Sequence, residues 1–166
     1  MLVFAPLATV DADAVERLLD RAFEPDRHTR TAYAIRTGTR PITELSFAAL
    51  DDNALVGSIQ CWPVCLTALD GSVYPLVMVG PVAVEPARQD GGIGHALMRH
   101  ALEAAEILFE GPQCLIGDPE YYGRFGFTAE RTAAWRVPGP VERHRLLARG
   151  RDVPAVAGIL GSGWPG

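Results

Sequence analysis

The continuous apolar run at residues 2–7 predicts a short first strand. Thr9, Val10 and Asp11 then supply caps for a helix reaching about Phe23, with Val15, Leu18, Leu19 and Ala22 on one face. Residues 24–41 are polar with scattered apolar positions and suit a loop or short helix. Strands are expected at about 44–50 and 55–63, joined through the turn signal Asp51-Asp52-Asn53. An Asp70-Gly71 turn leads into a nearly continuous apolar run over 73–84, the pattern of a central strand covered on both faces. Pro81 donates no ladder hydrogen bond, so Gly80-Pro81 reads as a bulge or break in that strand. After Gly92 a helix is expected with Ile93, Leu97, Ala101, Ala104 and Leu108 on one stripe and His95, Arg99, Glu103 and Glu106 opposite. Beyond it come a short strand at 114–116, a helical turn over 120–125 and strands at about 133–137 and 144–149. Residues 152–166 give no assignable pattern.

The most informative segment joins the central strand to that helix. Gly91, Gly92 and Gly94 let the backbone bend and approach a ligand closely. The helix start behind them offers unpaired N–H groups and a positive dipole end, the usual means of holding phosphate. A P-loop needs Lys and Ser/Thr after its last glycine, where this chain has His95 and Ala96. The third glycine of a dinucleotide fingerprint would fall at Leu97. The arrangement Gln89-x-x-Gly92-x-Gly94 instead resembles the (Arg/Gln)-x-x-Gly-x-(Gly/Ala) signature of the GNAT superfamily of N-acetyltransferases. A second stretch supports the likeness: in Gly117-Asp118-Pro119-Glu120-Tyr121-Tyr122-Gly123-Arg124-Phe125-Gly126-Phe127, Tyr122 precedes a Gly-Phe pair by four residues. This form is similar to the YhbS-like subgroup of that superfamily. The motifs cover residues 74–130, and the element order is alike from 2 to about 149.

The resemblance implies a single α/β domain over residues 1–166, with a mixed, twisted sheet, helices on both faces and a break in the fourth strand. It also implies acetyl-CoA as cosubstrate and a small-molecule or peptide amine as acceptor. Backbone groups of Val82, Ala83 and Val84 would meet pantetheine, and those of Gln89, Asp90, Gly91, Gly92, Ile93, Gly94 and His95 would meet pyrophosphate. Asp90 and Gly91 depart from the family pattern, which often has a basic residue at the latter, and Arg88 and His95 are the nearby groups able to compensate. Tyr122 is the expected general acid and a cofactor contact, because a phenol near pKa 10 keeps its proton at neutral pH. Glu85 is a candidate general base, with Glu24 and His28 as alternatives. Tyr121, Phe125 and Phe127 read as packing residues and Asp118 as a cap. Two other readings keep the fold: a non-catalytic acyl-CoA sensing domain, and an interaction module whose cofactor site has decayed.

Composition narrows the partners. A net charge of −5 argues against nucleic acid, and no apolar stretch approaches the roughly 20 residues of a membrane span. The first residues lack the basic start of a signal peptide, and Cys61, Cys65 and Cys114 have no metal-ligand spacing. Reduced thiols in the cytoplasm are expected, with a homodimer among the assemblies the family allows. No Ser–His–Asp or Cys–His arrangement stands out, so direct transfer in a ternary complex is preferred to an acyl-enzyme.

Overall fold

The strands β1 (Leu2–Pro6), β2 (Phe47–Asp51), β3 (Ala54–Ala68), β4 (Val73–Val84), β5 (Gln113–Ile116), β6 (Trp135–Arg136), β7 (Leu146–Arg149) and β8 (Gly158–Ser162) form one sheet in a computed structural model describing residues 1–166. Its main order is β1-β2-β3-β4-β5-β7, and β8 pairs with both β3 and β6. Most pairs are antiparallel; β4 with β5 and β6 with β8 are parallel. The helices are α1 (Ala12–Ala22), α2 (Thr31–Ile35), α3 (Ile93–Leu108) and α4 (Pro119–Tyr122). The chain divides into two compact units, each made of three segments. The first holds residues 1–27, 41–61 and 80–110; the second holds 28–40, 62–79 and 111–166.

The first unit is layered around β1, β2 and the start of β3. Ala48 and Ala83 pack with Leu7, Val15, Leu18 and Leu19, so α1 covers one face. Successive strand residues point to opposite faces. Gly57 lies on the other face, where an added Cβ would stand 2.9 Å from Ile93 Cγ2 and 3.0 Å from Leu97 Cδ1. That glycine lets α3 sit directly on the sheet. The Asp52-Asn53 turn between β2 and β3 has φ of 48° and 69°, the left-handed pair of a tight hairpin.

The face of α3 departs from expectation. Its buried residues are Ile93, Leu97, Met98, Ala101, Leu102 and Ala105, whereas Ala104 is half-buried and Leu108 exposed. At about 100° per residue, Ala104 lies beside Ile93 at the edge of the buried arc, whereas Leu108 falls between Leu97 and Ala101 in azimuth and is exposed as the last residue of the helix. Ile93 reaches the sheet from the edge of that face because Gly57 leaves room for it.

In the second unit, Trp62, Val64, Leu66, Leu76, Met78, Cys114, Trp135, Leu146 and Leu160 form a core joined by Ile35 of α2. Residues 158–162 of the unassigned tail are β8, which lies antiparallel to β3 over Val64–Ala68 and parallel to β6. Gly158 and Gly161 make its pattern unlike a strand, yet an added Cβ on Gly158 would stand 2.6 Å from the Thr67 carbonyl oxygen. Close approach of two backbones, which hydrophobic patterning does not encode, selects the glycine. Residues 44–46, expected as strand, belong to a 3-10 turn (Thr43–Leu45) and its cap. Strand β4 runs unbroken from Val73 to Val84, and its irregularity is confined to Gly80, with φ of 118°, before a cis peptide to Pro81. No helix is long and apolar enough to cross a membrane.

Candidate active site

In the first unit, β4 delivers the chain to the glycine loop. Ala83 faces the α1 side, while Val82 and Val84 face α3, their Cγ atoms 3.9 and 3.6 Å from where a Cβ on Gly94 would lie. The Glu85 N–H donates to the Val56 carbonyl at 2.8 Å, fixing the end of the strand. A 3-10 turn over Pro86–Gly91 then carries Gln89, Asp90 and Gly91, all exposed. Gly92 has φ of 78°, a conformation that favours glycine, and the chain enters α3 at Ile93.

The start of α3 differs from those of α1 and α4. Asp11 caps α1 by accepting from Ala14 N–H, with Asp13 in its first turn. Asp118 caps α4 by accepting from Glu120 N–H at 3.0 Å, as the sequence indicated. At α3 the capping position is Gly92, no side chain caps the turn, and the first turn holds no acidic residue. An uncapped N-terminus behind an exposed glycine loop leaves its N–H groups and partial positive charge for an anion.

Side-chain cations play little part there. Arg88 is bound to Asp51, Nη1 to Oδ2 at 2.8 Å, so it is not the free compensating charge the sequence suggested. His95 Nε2 accepts from Arg99 Nε at 3.1 Å. The other arginines of this unit are also engaged: Arg17 with Asp11, Arg21 with Glu85, and buried Arg27 with Glu16 and Asp20. Glu85 is half-buried, and both its oxygens accept from the Arg21 guanidinium at 2.8–3.1 Å. Glu24 is exposed in this unit, and His28, exposed in the other, packs edge-on against Tyr33.

In the second unit, Tyr122 ends α4. Its ring lies across Gly117, where an added Cβ would stand 2.4 Å from Cε2, so only glycine fits. Tyr121 meets it edge-on at 4.9 Å between centroids and Phe127 at 6.3 Å. Gly126, with φ of 89°, turns the chain so that the Phe127 N–H donates to the Tyr122 carbonyl. Burial pushes the Tyr122 phenol above its ordinary pKa; the neighbouring Tyr121 and Asp118 act in the same direction and Arg145 opposes them. The group therefore keeps its proton through the neutral range. Arg145 is a residue that the sequence reading passed over. Its carbonyl accepts from Gly117 N–H at 2.9 Å, and its only signal is the basic run Arg143-His144-Arg145. Cys61 and Cys114 are buried, which pushes their thiols up to about 12 and leaves them unsuited to nucleophilic work.

Comparison with known proteins agrees with both motifs. Residues 4–129 match the acetyltransferase (GNAT) domain family. The chain is 27% identical over 143 residues to the uncharacterized N-acetyltransferase YhbS of Escherichia coli K12, covering 82% of this chain and 83% of that protein. A crystal structure of Escherichia coli YhbS in complex with CoA has a TM-score of 0.76 at 22% identity, covering 97% of this chain and 89% of that one. A GNAT family acetyltransferase from Brucella melitensis in complex with acetyl-CoA has a TM-score of 0.56 at 26% identity, covering 90% and 96%. With three quarters of its length in the family match, the glycine loop on α3 and the tyrosine on α4, this chain belongs to the GNAT family of N-acetyltransferases.

Proposed function

We propose that the protein transfers the acetyl group of acetyl-CoA to a primary amine by direct attack in a ternary complex. The observation that carries this reading is the uncapped start of α3 behind Gly92, the one helix of the first unit whose N-terminus is not closed by an aspartate. The pyrophosphate would be held by amides around Gly91, Gly92, Ile93 and Gly94, with pantetheine lying along Val82–Val84 as an added strand. The amine nitrogen attacks the thioester carbonyl carbon, the C–S bond breaks, and the departing thiolate takes the Tyr122 proton. The amine gives up its own proton to solvent. Glu85 enters this reading as a partner of Arg21, since it would have to break a two-point contact to accept that proton. With two of the three thiols buried and protonated, an acyl-enzyme on cysteine has little support.

Calorimetry with acetyl-CoA, followed by thiol release with a panel of amines, tests the proposal. Ligand at about 100 times its dissociation constant should stabilise the fold by about 2.7 kcal/mol. The absence of both a heat of binding and a shift in melting temperature at millimolar ligand would refute it. Binding without turnover on any amine would favour an acyl-CoA sensing domain instead.

A further inference from the structure

A phenol that protonates a departing thiolate works against its own basicity. A free thiol has a pKa of about 8.5 and a free phenol about 10, so the transfer is uphill by about thirtyfold. Burial is the largest influence on the Tyr122 phenol and makes it a weaker acid still; Tyr121 and Asp118 push the same way. Leaving an electron pair on that partly buried oxygen calls for a positive charge nearby.

One side chain of the second unit is placed to supply it. The β5–β7 ladder ends with Ile116 opposite Leu146, and the next residues on the two strands are Gly117 and Arg145. The Gly117 N–H donates to the Arg145 carbonyl at 2.9 Å, so the two stand opposite each other. Gly117 is also the residue on which the Tyr122 ring rests. An added Cβ there would lie 2.4 Å from Cε2, the ring carbon next to the one that bears the hydroxyl. Opposed residues of an antiparallel pair are about 5 Å apart, which brings the base of the Arg145 side chain close to the hydroxyl end of the ring. Its charge acts on the phenol against the effect of burial.

Arg145 is half-buried, and its side chain makes no hydrogen bond or ion pair. Other arginines of this unit have partners. Arg36 is buried between the Tyr33 and Trp62 rings, its Cζ 3.8 and 4.0 Å from their centroids. Arg143 donates to the Trp135 carbonyl, Arg124 Nε donates to the Tyr121 carbonyl at 2.9 Å, and the Arg149 Cζ stands 6.0 Å from the Phe127 ring. Asp118, the carboxylate whose charge reaches the phenol, is used as the cap of α4.

We propose that Arg145 is a positioning residue for acetyl transfer: acting through Tyr122, it stabilises the phenolate that remains when the proton leaves for the coenzyme thiolate. The inference rests on the reading of Tyr122 as general acid. The Tyr122 O–H bond breaks, its electron pair stays on the phenolate oxygen in the field of the Arg145 guanidinium, and an S–H bond forms on the thiolate. Solvent, which has taken the amine proton, returns one to the phenolate. The guanidinium stays charged throughout. Because the Gly117–Arg145 hydrogen bond joins backbone to backbone, a change of side chain at 145 leaves it in place.

The test uses the whole protein with an isotopic carbon label at tyrosine Cζ, whose NMR shift follows phenol ionisation. The resonance missing in Tyr122→Phe is that of Tyr122. Arg145→Gln should move the Tyr122 titration to higher pH, and Arg145→Lys, which keeps the charge, should leave it near the parental position. Arg145→Met replaces the glutamine variant if that one does not fold. Thiol release from acetyl-CoA, with ethanolamine as acceptor or with water alone, should fall by about tenfold or more in kcat for Arg145→Gln and recover in Arg145→Lys. Calorimetry should show unchanged acetyl-CoA affinity. In the Tyr122→Phe background the same substitution should cost nothing further, whereas a residue that merely holds the fold would cost the same in both. An unmoved titration, parental kcat in Arg145→Gln, or an equal loss in both backgrounds overturns the inference and leaves Tyr122 as the acid. Parental turnover in Tyr122→Phe overturns the general-acid reading itself, and this inference with it.

Discussion

The first unit carries an excess of carboxylates and the second an excess of arginines, so the two would meet a ligand in different ways. In the first, all five arginines have partners within the unit, so the phosphate proposed at the glycine loop would rest mainly on backbone amides. Amides at a helix start are fixed in direction by the fold and need no particular side chain beyond the glycines that let a ligand approach. In the second, arginines exceed carboxylates, and burial raises the already high pKa of the candidate acid further. The lesson is that an overall negative charge says little about a local site. Backbone dipoles at an uncapped helix start can offer an anion site even inside an acidic unit.

The largest expected effect is on chemistry in the second unit. Tyr122→Phe should lower kcat by about 10²- to 10⁴-fold, the range of a positioned general acid, with little change in cosubstrate affinity. Because burial raises the Tyr122 pKa, the limb of the kcat profile that reflects loss of its proton should lie above about pH 10 and vanish in the variant. Parental turnover in the phenylalanine variant, under conditions where chemistry limits the rate, would remove Tyr122 from the mechanism. Next comes binding in the first unit. Gly94→Glu should weaken acetyl-CoA by about 100-fold or more in calorimetry, since it puts bulk and a negative charge at the amide site. Gly94→Ala is the control, because its Cβ would meet Val84 at an ordinary 3.6 Å. If the glutamate variant bound normally, the backbone-amide half of the comparison would collapse.

Two smaller effects separate packing from function within the first unit. Gly57→Ala should destabilise the fold by about 1–3 kcal/mol in denaturant unfolding, because its Cβ would crowd Ile93, Leu97 and the Ala83 carbonyl together. A neutral result would mean that α3 can shift on the sheet, and that the start of the helix is less firmly placed than its contacts indicate. Glu85→Gln should cost about 1 kcal/mol or less through its contact with Arg21 and leave the pH profile of turnover unchanged. Loss of a limb on the acid side of the profile, if the parent shows one, would restore Glu85 as the base.

What the sequence determined by itself is local. The two glycine-containing motifs, the caps at Asp11 and Asp118, the hairpin at Asp52-Asn53 and the order of the strands through β7 all follow from backbone preference and short-range periodicity. Those signals lie within a few residues of each other, so a linear reading can find them. Tertiary structure decided the rest. Strand β8 exists because Gly158 can lie against Thr67, ninety-one residues earlier in the chain. The buried face of α3 is set by the space above Gly57, and Arg88 is taken up by Asp51 across thirty-seven residues. Arg36 becomes a clamped guanidinium only when Trp62 is brought to it. Each of these depends on which distant residue arrives opposite, and that is fixed by strand pairing and close packing rather than by the residue's own neighbours in sequence.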